Sequence, residues 1–319
     1  MKVLILLAAA ILSLNCSRAV STTQEASKVS TPAASPAATP SASQNKLREQ
    51  IEQIAASARG RVGAAVTVVE TGESLVALNA DQRFPMQSVY KLPIAIAVLR
   101  QVDGGALKLE QKVKVEKSDF ISGRQHSPIR DKNPRGTELS VRDLLRFAVS
   151  ESDGTASDVL MRLAGGPEVV MKDLRSLGVS GVMVVNTEKE FGEDQSLQYQ
   201  NWAQPESVIV LLRVLQEGRG LSADSRALLL QFMAESTPGP KRLKGRLPAG
   251  TVVAHKTGTS GTENGMTAAT NDVGLVTLPD GRHLAVAVFV SDSPADEQVR
   301  EGVIAQIARA AWDWSTQSR

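Results

Sequence analysis

Ser88 and Lys91, in Phe84-Pro85-Met86-Gln87-Ser88-Val89-Tyr90-Lys91-Leu92-Pro93, stand three residues apart at the start of a helical pattern. On a helix that spacing puts both side chains on one face, so the lysine amine can lie beside the hydroxyl and take its proton, making the serine a nucleophile. Taken alone the pair is a weak signal, because an N-cap serine followed by a solvated lysine is the commoner reading of Ser-x-x-Lys. Two further segments change that balance. Ser150-Glu151-Ser152-Asp153-Gly154 precedes another helical stretch, and His255-Lys256-Thr257-Gly258-Thr259-Ser260-Gly261 ends a strand pattern.

These motifs need elements to carry them. Lys46 to Ala58 has Leu47, Ile51 and Ile54 at helical spacing, with Gly60 as a stop. Two β-rich runs follow, Val62 to Val69 and Leu75 to Leu78, turning around Thr71-Gly72-Glu73. Three more strands are expected far downstream, Thr251 to Ala254, Asp272 to Leu278 and His283 to Val290, and then a helix from Glu297 to Trp312 with Val299, Val303, Ile307 and Ala310 facing inward. Between the two β blocks the pattern is mostly helical: Val89 to Gln101, Val141 to Val149, Ala156 to Leu163, Val169 to Leu177, Glu206 to Leu215 and Ser225 to Met233. The predicted fold is α/β in the α+β sense: a five-stranded antiparallel sheet flanked by helices, with an all-α subdomain inserted and a groove where the halves meet. The α/β part covers about 46–87 and 240–319 and the α part about 88–239.

The N-terminal region reads as an address. Val3 to Leu14 is an almost unbroken apolar run after Lys2, of signal-peptide length and short for a membrane span, so residues 1–20 are taken as an export signal. Cys16 sits where a lipoprotein signal places the cysteine that is lipidated, although Ser13-Leu14-Asn15 departs from the small residues expected before it. A lipid anchor and an ordinary cleaved signal both stand as readings, and both give an envelope protein. Residues 21–45, rich in Ser, Thr, Ala and Pro, read as a flexible tether.

Composition excludes several classes. Of 319 residues, 42% are hydrophobic and 22% charged, which suits a packed enzyme-sized body rather than a disordered or fibrous chain. Thirty-six Lys and Arg against 34 Asp and Glu leave a net charge of +2, too balanced for a nucleic-acid partner. The lone cysteine forms no intrachain disulfide and no Cys-rich zinc site, and His126, His255 and His283 have no metal-ligand spacing, so neither metal nor cofactor is expected. A monomer is the expected state.

Ser-x-x-Lys, then Ser-Asp-Gly close to the Ser-Asp-Asn form, then Lys-Thr-Gly, in that order, is the motif set of class A β-lactamases and penicillin-binding proteins. From about Lys46 to the C-terminus the chain resembles a class A serine β-lactamase, with the β-lactamase/transpeptidase-like fold. Gln87, Ser127-Pro128-Ile129-Arg130-Asp131-Lys132, Tyr199-Gln200-Asn201-Trp202 and Thr267-Ala268-Ala269-Thr270-Asn271-Asp272 look like its extended-spectrum branch with a lengthened helical region. The resemblance implies hydrolysis of small-molecule β-lactams, penicillins and cephalosporins. Ser88 would be the nucleophile, with Lys91, or a glutamate acting through water, as base. Counting back from Asn201-Trp202-Ala203-Gln204-Pro205 puts that glutamate at Glu188, with Glu190 and Glu193 as rivals. The resemblance further implies an oxyanion hole of the Ser88 and Thr259 backbone N–H groups and a proton shuttle through Ser152. Lys256 would hold the Ser152 hydroxyl and help attract the substrate carboxylate, which Thr257, Gly258, Thr259 and Arg242 would meet, with Lys241, Lys244 and Arg246 as alternatives to Arg242.

Two departures stand out. Gly154 occupies the position of an asparagine that contacts substrate and orients Lys91, and Gly192, four residues after Glu188, that of an asparagine that helps hold the hydrolytic water. Weaker water positioning would slow deacylation before acylation. A penicillin-binding, DD-peptidase-like protein that releases its acyl group slowly, or a binding module with a decayed site, are therefore the alternative readings.

Overall fold

The computed structural model describes residues 42–317; residues 1–20, Cys16 and most of the Ser/Thr/Ala/Pro-rich stretch lie outside them. The helices are α1 (Ala42–Ala56), α2 (Lys91–Asp103), α3 (Pro128–Lys132), α4 (Val141–Ser150), α5 (Gly154–Ala164), α6 (Pro167–Ser176), α7 (Glu188–Glu193), α8 (Pro205–Gln216), α9 (Ala223–Ala234) and α10 (Glu297–Gln317). The strands are β1 (Arg61–Val68), β2 (Ser74–Leu78), β3 (Phe84–Pro85), β4 (Lys112–Val115), β5 (Thr137–Ser140), β6 (Val182–Met183), β7 (Trp202–Ala203), β8 (Val253–Thr259), β9 (Thr262–Glu263), β10 (Met266–Thr277) and β11 (His283–Ser293).

The main sheet runs β2-β1-β11-β10-β8, with the two-residue β9 paired to β10. Its pairings are antiparallel, and β8, which carries Lys256, Thr257 and Gly258, lies at one end of the main path. Strands β1 and β11 are buried almost throughout rather than on alternate residues, because both faces of the sheet are covered. On one face Val62, Val66, Val286 and Val290 pack with Leu47 and Ile51 of α1 and Val303, Ile304 and Ile307 of α10. On the other, Ala65, Ala287 and Phe289 join a larger core that takes in α2, α4, α5, α8 and α9. Helix α2 is buried over most of its length, from Lys91 to Leu99, and is the post around which the helical part is assembled.

The predicted architecture of main sheet, flanking helices and helical insertion holds, with four local differences. The insertion expected to be all-α also holds the hairpin β4–β5 and the pair β6–β7, which joins β3 in a second small sheet. Helix α1 begins at Ala42, inside the stretch assigned to the tether, where Ala and Gln favour helix by propensity. Strand β8 starts at Val253 and runs through Thr259, and β10 starts at Met266, so the third motif lies within a strand that Thr251 to Ala254 had only begun. Val299 is 38% exposed instead of facing inward. At that turn Arg300 goes inward: its Nε donates to Thr270 Oγ1 at 2.9 Å and its Nη1 to Ala295 O, which swings Val299 out to solvent.

Candidate active site

Ser88 sits in a 3-10 turn, Gln87–Tyr90, that runs directly into α2 at Lys91. Gln87, with φ of +48°, holds the left-handed conformation that starts the turn, an arrangement tolerated where surrounding contacts fix it. Those contacts come from two sides. Asn271 Nδ2 of β10 donates to Pro85 O at 2.8 Å and Met86 O at 3.1 Å, and Gln87 Nε2 donates to Gln198 Oε1 across the cleft. Gly258 lets β8 press against the same turn: a Cβ there would lie 2.3 Å from Met86 O and 3.2 Å from Val89 Cγ2.

Asp153, fully buried, explains the middle of the second motif. Its carboxylate accepts from Ala156 N at 2.8 Å, Ile129 N at 2.7 Å and Ser127 Oγ at 3.2 Å, capping α5 and tying α3 to it. Ser152 just before it is held at φ +59° and so presents its hydroxyl to the cleft. Lys256 Nζ donates to Ser152 Oγ at 2.9 Å and to Thr257 O at 3.0 Å. Burial, and then the Lys91 charge, hold the Lys256 amine well below the usual lysine range.

Lys91, only 2% exposed, has its Nζ 3.0 Å from Glu188 Oε1 and donates to Ser152 O at 2.7 Å. One amine thus links the helix that follows Ser88, the second motif and the acidic loop. Glu188 is the first residue of α7, whose Thr187 cap and Glu190 close a reciprocal capping box. Glu190 is occupied there, bonded to Thr187 N at 2.7 Å, and Glu193 is exposed, so of the three carboxylates Glu188 is the one that reaches Lys91.

The loop that carries Glu188 is fastened at its neck and underneath. Asn201, fully buried, accepts from Val185 N at 2.8 Å and Asn186 N at 3.0 Å and donates to Asn186 O at 2.8 Å. Asp158 of α5 accepts from Glu188 N and Lys189 N, each at 2.9 Å. Burial, with the Glu188 charge adding to it, pushes the Asp158 carboxyl up to about 7. Phe191 stands edge-on to Tyr90, with ring centroids 5.9 Å apart, packing α7 onto the turn that carries Ser88.

Not every expected residue lines the cleft. Ser88, Lys91, Ser152, Glu188, Thr257 and Thr259 surround one cavity of about 690 Å³. Arg242 lies behind the strand, 3% exposed and paired to Glu301 at 3.1 Å, with Nη2 donating to Thr259 Oγ1 at 2.8 Å. Lys244 is turned to the carbonyls of Ala234 and Ser236, and Lys241 and Arg246 are exposed. Gly154 lies behind Glu188: a Cβ on it would come 2.4 Å from Ile121 Cδ1 and 3.2 Å from Glu188 Cγ. The histidines lie apart, His126 against Glu151 O, His255 buried on Asp272, and His283 on Glu70. Asp158 and Gln125, which the sequence reading passed over, both contact Glu188, and no motif marks either one.

The model of the β-lactamase enzyme family matches residues 46–315. The extended-spectrum β-lactamase PER-1 of Pseudomonas aeruginosa is 45% identical over 270 residues, 84% of this chain and 87% of that protein. β-Lactamase VEB-1 of the same organism is 39% identical over 272 residues, 85% of this chain and 90% of that one. The crystal structure of a β-lactamase from Chitinophaga pinensis superposes with a TM-score of 0.83 at 47% identity, covering 85% of this chain and all of that one. With this extent of likeness and the three motifs gathered on one cleft, the chain belongs to the β-lactamase enzyme family, as a class A enzyme.

Proposed function

We propose that this serine β-lactamase opens the lactam amide of penicillins and cephalosporins through an acyl-enzyme on Ser88. The observation that carries the reading is the position of Glu188, 3.0 Å from Lys91 on the nucleophile's own helix. Ser88 Oγ attacks the lactam carbonyl carbon and gives up its proton to Lys91, or to Glu188 through a water. The carbonyl oxygen becomes an oxyanion between the backbone N–H groups of Ser88 and Thr259, donors worth a few kcal/mol each where charge develops only in the transition state. The C–N bond then breaks, with the ring nitrogen protonated through Ser152, whose hydroxyl Lys256 holds. Glu188 takes a proton from water as it attacks the ester, and Ser88 leaves with a proton. Hydrolysis adds one water to the amide and resets the site.

Thr257 and Thr259 offer hydroxyls to the substrate carboxylate. Arg242 acts on that carboxylate through Thr259. Gly258 contributes its close approach rather than a contact. On the same reading the chain is exported by residues 1–20 to the periplasm, either lipid-anchored at Cys16 and held on the 21–45 tether or released, with a monomeric enzyme domain at 46–319 made of the α/β part, about 46–87 and 240–319, and the α part, about 88–239. No helix among the described residues is long and apolar enough to cross a membrane.

The test follows a chromogenic cephalosporin through many turnovers while intact mass is read. Sustained hydrolysis is expected, abolished in Ser88→Ala, with an acyl mass trapped on Ser88 in Glu188→Ala. A Ser88→Ala protein hydrolysing at the wild-type rate would sink the assignment.

A further inference from the structure

The two glycines that depart from the family pattern, Gly154 and Gly192, flank Glu188, and both spaces are filled from one loop, Ile121–His126. A Cβ on Gly192, whose backbone is ordinary, would lie 2.4 Å from Gln125 Oε1 and 3.2 Å from Ser122 Cβ. The place of a side chain on α7 is therefore taken by the Gln125 amide. Gln125 Nε2 donates to the main-chain oxygen of Glu188 and to Glu188 Oε2, the latter at 3.3 Å, while its Oε1 accepts from Ser122 N at 3.2 Å. The partners set the amide's orientation, because the flipped form would aim an oxygen at two oxygens of Glu188. The loop is itself braced: Arg130 donates to the carbonyls of Ile121, Ser122 and Gln125, with the last bond at 3.0 Å.

We propose that Gln125 is the positioning residue for the general base, holding the Glu188 carboxylate from the neighbouring loop through the space that Gly192 leaves. The proposal rests on the assignment of Glu188 as the base that activates water. Lys91 Nζ holds Oε1 and Gln125 Nε2 holds Oε2 and the residue's own main-chain oxygen, so the carboxylate is tied on both sides. A carboxylate held at one oxygen only can turn about its last bonds, and small displacements of a catalytic group cost large factors in rate. Since Lys91, on the same cavity as Ser88, is the proposed alternative base for the first attack, loss of Gln125 falls on the second half-reaction.

The experiment measures acylation and deacylation separately, by stopped-flow and intact mass with a chromogenic cephalosporin, in the wild type, Gln125→Ala, Gly192→Asn and the double variant. Gln125→Ala is expected to acylate within about threefold of the wild type but deacylate roughly 10²-fold more slowly, so that the Ser88 adduct persists. Gly192→Asn alone, colliding with Gln125, slows deacylation; in the Gln125→Ala background the new amide has room and recovers about tenfold or more. Deacylation at the wild-type rate in Gln125→Ala overturns the proposal. So does an equal fall in both steps with no recovery in the double variant, which marks a merely structural residue. A wild type that forms no Ser88 adduct and does not turn over overturns the reading of function itself, a different result.

Discussion

The cleft has two walls, and they are held together differently. On the wall made by β8, β10 and the Gln87–Tyr90 turn, main chain approaches main chain where Gly258 meets Met86 O, and one buried side-chain amide, that of Asn271, fastens the Pro85 and Met86 carbonyls. Backbone can approach that closely only where a residue has no Cβ, so the wall is rigid and intolerant of change. The facing wall is α7 and its loop, a six-residue helix held by side chains from other elements: Asp158 beneath, Gln125 beside, Lys91 in front and Asn201 at the neck. The motif wall holds the Ser88 turn by close backbone approach and a buried amide, whereas Glu188 is held by exchangeable polar contacts at a short surface helix. With Glu188 in the proposed role, deacylation is therefore the step this chain can lose or tune with single substitutions.

Breaking the rigid wall gives the largest effect. Gly258→Ala places a Cβ 2.3 Å from a backbone carbonyl that cannot rotate away. Overpacking of this kind costs about 1–3 kcal/mol, and displacement of the Ser88 turn is expected to lower acylation and deacylation together by roughly 10²-fold. Burst and steady-state kinetics read this directly. A Gly258→Ala enzyme impaired only in deacylation would remove the distinction between the walls.

Lys256 belongs to the same wall and carries its charge. Since burial and the neighbouring Lys91 hold its amine well below the ordinary lysine range, its positive charge is lost earlier on the alkaline side than a solvated lysine's. The kcat/KM profile is expected to fall there, chiefly through KM as the substrate carboxylate loses its partner. Lys256→Arg stays charged and should lack that limb, whatever its absolute rate. Coincident alkaline limbs in the two proteins would mean that another group titrates.

On the opposite wall Asp158 offers a smaller effect, read in stability rather than in rate. Its carboxyl is pushed up to about 7 in the fold, against 3.8 as the ordinary value. Between those values the folded protein keeps a proton that the unfolded chain has released, so this group makes stability fall as pH rises from about 4 to 7. Asp158→Asn removes that slope. It also turns an amide N–H toward one of the two helix N–H groups that Asp158 accepts from, and the lost acceptor costs about 1–3 kcal/mol. Urea unfolding at pH 5 and pH 8 should show a smaller pH difference in the variant, which is also the less stable at both. An unchanged pH difference would assign the slope elsewhere.

The motif wall was also the legible one. Covalent chemistry demands particular residue types at particular spacings, so Ser88, Lys91, Ser152 and Lys256 could be picked out before any fold was known, and Glu188 by counting along a resemblance. The supports of the base leave no such trace. Gln125 and Asp158 lie 63 and 30 positions from Glu188, and an amide in a loop or an aspartate on a helix is ordinary composition until the fold brings it to a partner. Val299 failed for a related reason. Periodicity finds the apolar stripe, yet a buried Arg300 bonded to Thr270 decided which way the first turn of α10 faces. Arg242, expected to meet the substrate directly, is buried behind the strand and touches the cleft's lining only through Thr259.

The smallest effect tests whether the soft wall is exchangeable in fact. A Cβ on Gly154 would meet Ile121 Cδ1 at 2.4 Å and Glu188 Cγ at 3.2 Å, so Gly154→Ala collides first with the end of a side chain and only then crowds the base. A terminal methyl can turn away, and the expected cost is about 1 kcal/mol, with a fewfold slower deacylation. Ile121→Val removes that methyl and opens a small gap, costing about 0.5–1.5 kcal/mol by itself. The two changes complement each other in volume. In the double variant the methyl added at Gly154 takes up space vacated at Ile121, so the losses should cancel in part rather than add, with a coupling of about 0.5 kcal/mol or more. Thermal unfolding of the four proteins measures that coupling. Strict additivity would mean that Ile121 does not fill the space at Gly154, and that this wall is as unyielding as the one it faces.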